Sequence, residues 1–136
     1  MRRAIARGAA LATGANLVLW AIAALIGAVP PIGDTLPTVA NVAFASIGGV
    51  LAAGVVASYF RGAGARRRWN HTALAVLILS FGSPLGLAIG LVPVSPIDPT
   101  NALLIAFRGG IGAIYAVMHV TTFIAVQRTI ARELQS

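Results

Sequence analysis

Long apolar segments alternate along the chain with short polar or proline-rich ones. Each apolar segment is close to the roughly 20 residues that a helix needs to cross a bilayer core of about 30 Å. The pattern therefore predicts an all-α fold, a four-helix transmembrane bundle formed by a single integral membrane domain. The predicted spans are residues 9–29, 39–60, 72–92 and 103–126.

The three predicted connections differ in character. The first and third, residues 30–37 and 93–99, are short, rich in proline and free of basic residues. The central connection, residues 61–69, contains four arginines. Together with the arginines of the terminal segments, nine of the ten basic residues fall on one side of the predicted bundle. Because basic loops stay in the cytoplasm, both termini and the central loop are predicted inside, and the proline-rich turns outside.

The composition supports a membrane protein and excludes several kinds of site. With 58% hydrophobic and 10% charged residues the chain is far more apolar than a soluble domain, which has roughly 25% charged residues. We expect a multi-pass protein of the cell (inner) membrane, with Trp69 at the membrane interface. The absence of cysteine excludes thiolate catalysis and cysteine-ligated metal sites.

The basic charge indicates a lipid partner rather than nucleic acid. The net charge of +7 comes from arginines that lie beside apolar spans. A juxtamembrane arginine gains about 1 kcal/mol from an anionic lipid surface. We therefore expect the lipid bilayer as the main partner, with anionic headgroups at Arg66, Arg67 and Arg68.

Small residues at four-residue spacing predict how the helices pack. Lipid tails are as apolar as leucine, so spans associate through close contacts between small residues and through buried hydrogen bonds. Such stripes favour a tight bundle, and a homo-oligomer or a larger membrane protein complex. The predicted packing positions are Ala45, Gly49, Ala53, Gly82, Gly86, Gly90, Gly112 and Ala116, and Gly109 with Ala113 forms a further pair.

A proline interrupts the third span. Pro84 removes one backbone hydrogen bond from the middle of the segment, so a kink is expected around residues 81–84. A backbone carbonyl that loses its helical hydrogen bond inside a membrane needs a partner from protein or water, and the hydroxyl of Ser80 or Ser83 can be that partner.

Three polar residues at membrane depth are the candidate ligand-binding site. At 1.5 Å of rise per residue, Asn16 and His119 both lie roughly 10 Å from the inner interface, and Ser80 lies close to that level. Polar groups at this depth are costly and are functional candidates by default. The alternative is a structural clamp in which His119 is neutral and bonded to a neighbour.

His119 has one further interpretation. We expect no cofactor and no metal site, but a single neutral imidazole can also be the axial ligand of a tetrapyrrole. His71 lies about 10 Å from His119 along the membrane normal, so the two histidines do not bracket one macrocycle.

Arg108 is the only basic residue on the predicted outer side, about five residues inside the fourth span. A long basic side chain can run along its helix and reach the headgroups, Asp34 or Asp98. The alternative interpretation is an outer-face site for an anion or a lipid headgroup.

Two short motifs carry a resemblance to a known family. They are the run Leu79-Ser80-Phe81-Gly82-Ser83-Pro84-Leu85 in the third span and Met118-His119-Val120 in the fourth. With the overall plan of the chain, they resemble a family of small four-span bacterial membrane proteins of unknown function, best known from actinobacterial genomes. The resemblance implies no activity, but it singles out Ser80, Pro84 and His119.

The function expected from the sequence is not enzymatic. No nucleophile with a base, no paired carboxylates and no metal cluster converge at one depth. Small multidrug transporters use a membrane-embedded carboxylate, whereas the acids here lie outside the predicted spans. The leading prediction is therefore a structural or accessory subunit that packs against itself or a larger complex. The alternative is a binder or carrier of a lipid, quinone or other small molecule in a pocket around His119.

Overall fold

The computed structural model describes residues 1–30, 36–93 and 100–134, and the side chains of residues 36–38 are left out of the description. The described residues form helices and no strands, so the predicted all-α class is confirmed. The helices are α1 Arg2–Leu25, α2 Leu36–Ala57, α3 Ala65–Ser80, α4 Gly82–Ala88, α5 Ala102–Ala106 and α6 Arg108–Glu133.

Four helical stretches are long and apolar enough to cross a membrane. They are Arg2–Leu25, Val39–Ala57, Ala65–Ala88 and Arg108–Glu133. Large apolar side chains cover their outer surface, with Leu25 84% exposed, Leu79 79% and Phe44 74%. Such exposure is costly in water and favourable in lipid. The fold therefore fits a multi-pass integral membrane protein.

The helices begin earlier in the chain than the apolar pattern indicates. The first starts at Arg2 rather than near residue 9, and α3 starts at Ala65 rather than at residue 72. Arginine is a good helix former, and its stem can pack along the helix while its charge stays in water. The edge of the apolar pattern therefore does not mark the end of the helix.

Glycines end both helices that lead into the proline-rich turns. After α1, Gly27 has φ +72°, Ala28 N–H donates to Ala23 O at 2.8 Å, and Gly27 N–H donates to Ala24 O at 3.2 Å. After α4, Gly90 has φ +81° and the same pair of bonds recurs. This Schellman arrangement requires a left-handed residue, which glycine adopts without strain. Gly90, expected in a packing stripe, is instead a helix terminator.

The expected break in the third span lies between α3 and α4. Helix α3 ends at Ser80, and Phe81 N–H donates to Ile78 O at 3.3 Å in a tighter turn. The Ser80 hydroxyl donates to Leu77 O at 2.7 Å. Pro84 is the third residue of α4. A missing N–H does little harm there, because the N–H groups of a helix's first turn have no hydrogen-bond partners within the helix. The helix is therefore interrupted at Phe81, within the stretch where the kink is expected.

Helix α6 is the central element of the bundle. It packs against α1, α2, α3 and α4, whereas α2 and α3 barely touch each other. The Met1 amino group lies 2.9 Å from the Glu133 carboxylate, so α1 begins at the end of the bundle where α6 finishes. The cluster at that end contains Ala12, Val50, Ala57, Trp69, Ala125, Val126 and Ile130, and the opposite cluster contains Trp20, Ala23, Val29, Val42, Leu87, Ile111 and Met118.

The small residues divide between internal contacts and open faces. A Cβ on Gly112 would lie 2.7 Å from Pro84 O and 2.8 Å from Ala88 Cβ, so Gly112 lets α6 approach α4 closely. Gly86 is buried against Val92. At Gly82 a Cβ would meet open space, so this residue makes no helix contact within the described chain. Ala116 is half-buried, and Ala45, Gly49 and Ala53 line a cavity.

Trp69, expected at the membrane interface, has its side chain buried within the bundle. It is only 2% exposed and packs edge-to-face on Phe60, with ring centroids 5.8 Å apart. Its indole belongs to the apolar cluster at the end of the bundle where α6 finishes.

Candidate functional site

Asn16 ties three helices together at the level between the two apolar clusters. Its amide Nδ2 donates to Ser46 Oγ on α2 at 2.8 Å and to Thr122 Oγ1 on α6 at 3.0 Å. Its carbonyl oxygen accepts a hydrogen bond from the Thr121 hydroxyl. Asn16 is 2% exposed, its bond to Ser46 is buried, and its bonds to the two threonines are partly buried. The residue has the position and the partners of a structural clamp.

Ser46, Thr121 and Thr122 complete this polar group. Ser46 also donates to Val42 O at 2.7 Å, and Thr121 to Met118 O at 3.0 Å. Ser46 and Thr121 were not predicted from the sequence, because single hydroxyls are common in spans and bond to their own helix. The sequence did contain one indication of these partners, because both hydroxyls lie near the level at which Asn16 needs hydrogen-bond partners.

His119 is oriented by its own helix. Its Nδ1 lies 2.7 Å from Tyr115 O, and its ring faces Phe81 with centroids 6.5 Å apart. A carbonyl oxygen only accepts hydrogen bonds, so Nδ1 carries the proton in this contact. In the neutral ring Nε2 is then a hydrogen-bond acceptor. The contact with Phe81 places His119 beside the break between α3 and α4.

The cavity lies between α2 and α3, with α6 as its floor. Its volume is about 510 Å³, within the range of small-molecule sites in proteins. Apolar and small side chains form most of its wall, including Ala45, Gly49, Ala53, Val76, Leu77 and Met118. The polar residues along it are Asn16, Asn41, Ser46, Thr72, Ser80, Tyr115, His119 and Thr122.

The structure brings all three predicted site residues to the wall of this one cavity. Asn16, Ser80 and His119 line it, but no hydrogen bond joins them to one another among the described residues. The Ser80 hydroxyl proton is committed to Leu77 O, which leaves its oxygen as an acceptor. Ser80 and His119 therefore both offer acceptor atoms near the helix break, and Asn16 is held by the clamp.

Arg108 begins α6 rather than lying inside the fourth helix. Its guanidinium stacks over Gly90, where a Cβ would lie 2.8 Å from Nη1. A side chain at position 90 would displace the arginine, so the glycine serves both the turn and this contact. The possible partners Asp34 and Asp98 lie outside the described residues.

The arginines of the central segment have separate positions. Arg68 folds back on the loop, donating from Nη1 to Ala63 O at 3.1 Å and from Nη2 to Arg61 O at 2.9 Å. It braces the turn, in which Gly62 and Gly64 have positive φ. Arg66 and Arg67 are exposed on the first turn of α3. The three predicted headgroup positions are thus not equivalent.

Within the described residues, no three His, Asp or Glu side chains are grouped closely enough to hold a metal ion. A single-imidazole role for His119 would use the Nε2 atom. Comparison of the chain with protein-family models, with curated proteins and with solved structures gives no match.

Proposed function

We propose that this protein binds an apolar molecule bearing a hydroxyl or N–H group, a lipid alcohol or a related membrane-soluble compound, in the cavity between α2 and α3. The observation that carries the proposal is the apolar cavity of about 510 Å³ with His119 on its floor. Apolar walls with a few placed polar groups are typical of small-molecule sites.

The polarity of the site favours a hydrogen-bond donor on the ligand. Neutral His119 presents an acceptor at Nε2, and Ser80 presents an acceptor oxygen after donating to Leu77 O. A quinone offers carbonyl acceptors to these atoms, whereas a quinol or an alcohol offers donors. Within the class of small molecules that the sequence suggested, the site therefore favours the hydroxylated members.

We expect His119→Leu to weaken binding of a long-chain fatty alcohol roughly tenfold, the loss of about one hydrogen bond. The matched ligand is the methyl ether of the same alcohol, which cannot donate. Its binding should be unaffected by the substitution. The measurement is native mass spectrometry of the detergent-solubilised protein with each ligand in titration.

Two neighbouring glycines provide the control for the location of the site. Gly49 lines the cavity, and a Cβ there meets only Thr122 Cγ2 at 3.7 Å, so Gly49→Leu places a side chain in the cavity and reduces its volume. Gly48 faces open space, and Gly48→Leu should leave binding intact. Equal binding by the two leucine variants would show that the ligand does not occupy the cavity.

A second candidate function is that of an accessory subunit that associates with itself or with a larger membrane complex. The supporting observation is that Gly109 has open space where a Cβ would stand, and Ala113, one turn further along α6, is exposed. This pair is not used in packing within the described chain. Small residues on a lipid-facing surface let a second helix approach closely.

The association is tested with Gly109→Leu combined with Ala113→Leu. If this face is an interface, the double variant should run as a smaller species than the parent protein in size-exclusion chromatography with light scattering. Val18→Leu on the exposed face of α1 is the control and should not change the mass. An identical mass for parent and double variant would remove this candidate.

A further inference from the structure

A second groove lies on the other side of α3, where this helix faces the last turns of α6. From α3 it is lined by Arg66, Asn70 and Leu74. These positions are four residues apart, so they form one row along the helix. From α6 the groove is lined by Phe123, Gln127, Arg128 and Arg132.

The groove is graded from charged to apolar along its length. The two helices run in opposite directions, so Arg66 on α3 lies at the same end as Arg128 and Arg132 on α6. Asn70 and Gln127 follow at the next level. Leu74 and Phe123 form the deep end, about 12 Å of helix rise from Arg66. Guanidinium groups, amides and apolar side chains thus succeed one another from the membrane surface inward.

The groove carries positive charge that no described residue lining it balances. Three arginines from two helices line the groove, and no acidic side chain is among the described residues lining it. Like charges in a common groove repel one another, and a bound anion relieves that repulsion. Arginine is also suited to phosphate, because its planar group donates two parallel hydrogen bonds to phosphate oxygens.

We propose that this groove is a specific site for a phosphate-bearing anion. The graded lining fits an anionic phospholipid, with the phosphate at the three arginines, the glycerol esters at Asn70 and Gln127, and an acyl chain along Leu74 and Phe123. Arg66 alone of the three adjacent arginines belongs to the site, because Arg67 and Arg68 do not line the groove. The groove and the cavity around His119 share Phe123, and their other lining residues differ.

The experiment compares two variants of equal net charge in detergent supplemented with phosphatidylglycerol or with phosphatidylcholine of the same acyl chains. The groove variant replaces Arg66, Arg128 and Arg132 by glutamine. The control variant replaces Arg2, Arg3 and Arg67 by glutamine as well. These three arginines are exposed and lie outside the groove. Native mass spectrometry should show that the parent and control retain phosphatidylglycerol preferentially. The groove variant should bind it roughly tenfold more weakly than the control.

Two further measurements make the result of this experiment decisive. If the triple groove variant does not fold, Arg128→Gln is compared with Arg67→Gln by the same measurement. Titration with inorganic phosphate identifies the source of the anion. Displacement of phosphatidylglycerol by phosphate at comparable concentration would assign the site to a free anion, and resistance would assign it to lipid. Equal binding by groove and control variants would overturn the proposal, and it would leave the alcohol-binding result at His119 unaffected.

Discussion

Replacing Gly110 by alanine should destabilise the protein by about 3 kcal/mol or more, enough to prevent folding of a marginally stable chain. A Cβ at this position would overlap the Ala28 carbonyl oxygen and would stand 2.8 Å from the Ala28 carbonyl carbon. The obstacle is backbone, which cannot rotate away as a flexible side chain would.

The backbone at Ala28 has little freedom to move. Its N–H is bonded to Ala23 O at 2.8 Å, in the arrangement that ends α1. The next two residues, Val29 and Pro30, are fully buried. A shift large enough to accept the new methyl group must therefore either break this turn or pull α1 away from α6. Both changes cost far more than the helix propensity that alanine adds.

The adjacent glycine is a matched control. Gly109 also lies in the first turn of α6, but a Cβ there meets nothing within 4 Å. Gly109→Ala should be neutral or should stabilise the protein by up to about 1 kcal/mol, because alanine is the better helix former. Free energies of unfolding in mixed detergent micelles, followed by tryptophan fluorescence, measure the difference. If the two alanine variants have equal stability, the close approach of Ala28 to α6 is wrong.

Gly110 also shows what could not be predicted from the sequence. Gly82 and Gly112 both belong to the predicted four-residue stripes, but of these two only Gly112 makes a tight contact within the described chain. Spacing along one helix says which residues share a face, but it does not say which backbone lies opposite. The contact at Gly110 depends on where the turn after α1 crosses α6, which is a property of the assembled bundle.

The features that follow from local chemistry were predicted well. The four apolar runs correspond to four helices long and apolar enough to span a membrane, and the break between α3 and α4 lies beside Pro84. Asn16 and His119, which helix rise places at a common level, both line one cavity. The hydrogen-bond partners of these residues could not be predicted, because depth does not determine how each helix is rotated about its axis. Asn16 therefore bonds to Ser46 and two threonines of α6 rather than to His119 or Ser80.

Asn16→Ala should lower the free energy of unfolding by about 2 kcal/mol, because hydrogen bonds between membrane helices contribute about 0.6 kcal/mol each, at most about 1.7. Three such bonds join α1 to α2 and α6 at this residue. Ser46 and Thr121 keep a bond to their own helix, so the loss falls on the contacts between helices. Unfolding in mixed micelles measures it.

Thr13, three residues earlier on the same helix, is the contrasting case. Its hydroxyl oxygen is buried and has no hydrogen-bond partner within the described part of the chain. Thr13→Val keeps the shape and removes a polar atom that bonds to nothing, so stability should stay the same or rise by about 1 kcal/mol.

A double-mutant cycle of Asn16→Ala with Ser46→Ala isolates one hydrogen bond of the clamp. A coupling energy of zero would mean that Asn16 stabilises the bundle by packing alone, whereas a coupling of about 1 kcal/mol would assign the stabilisation to the hydrogen bond between α1 and α2.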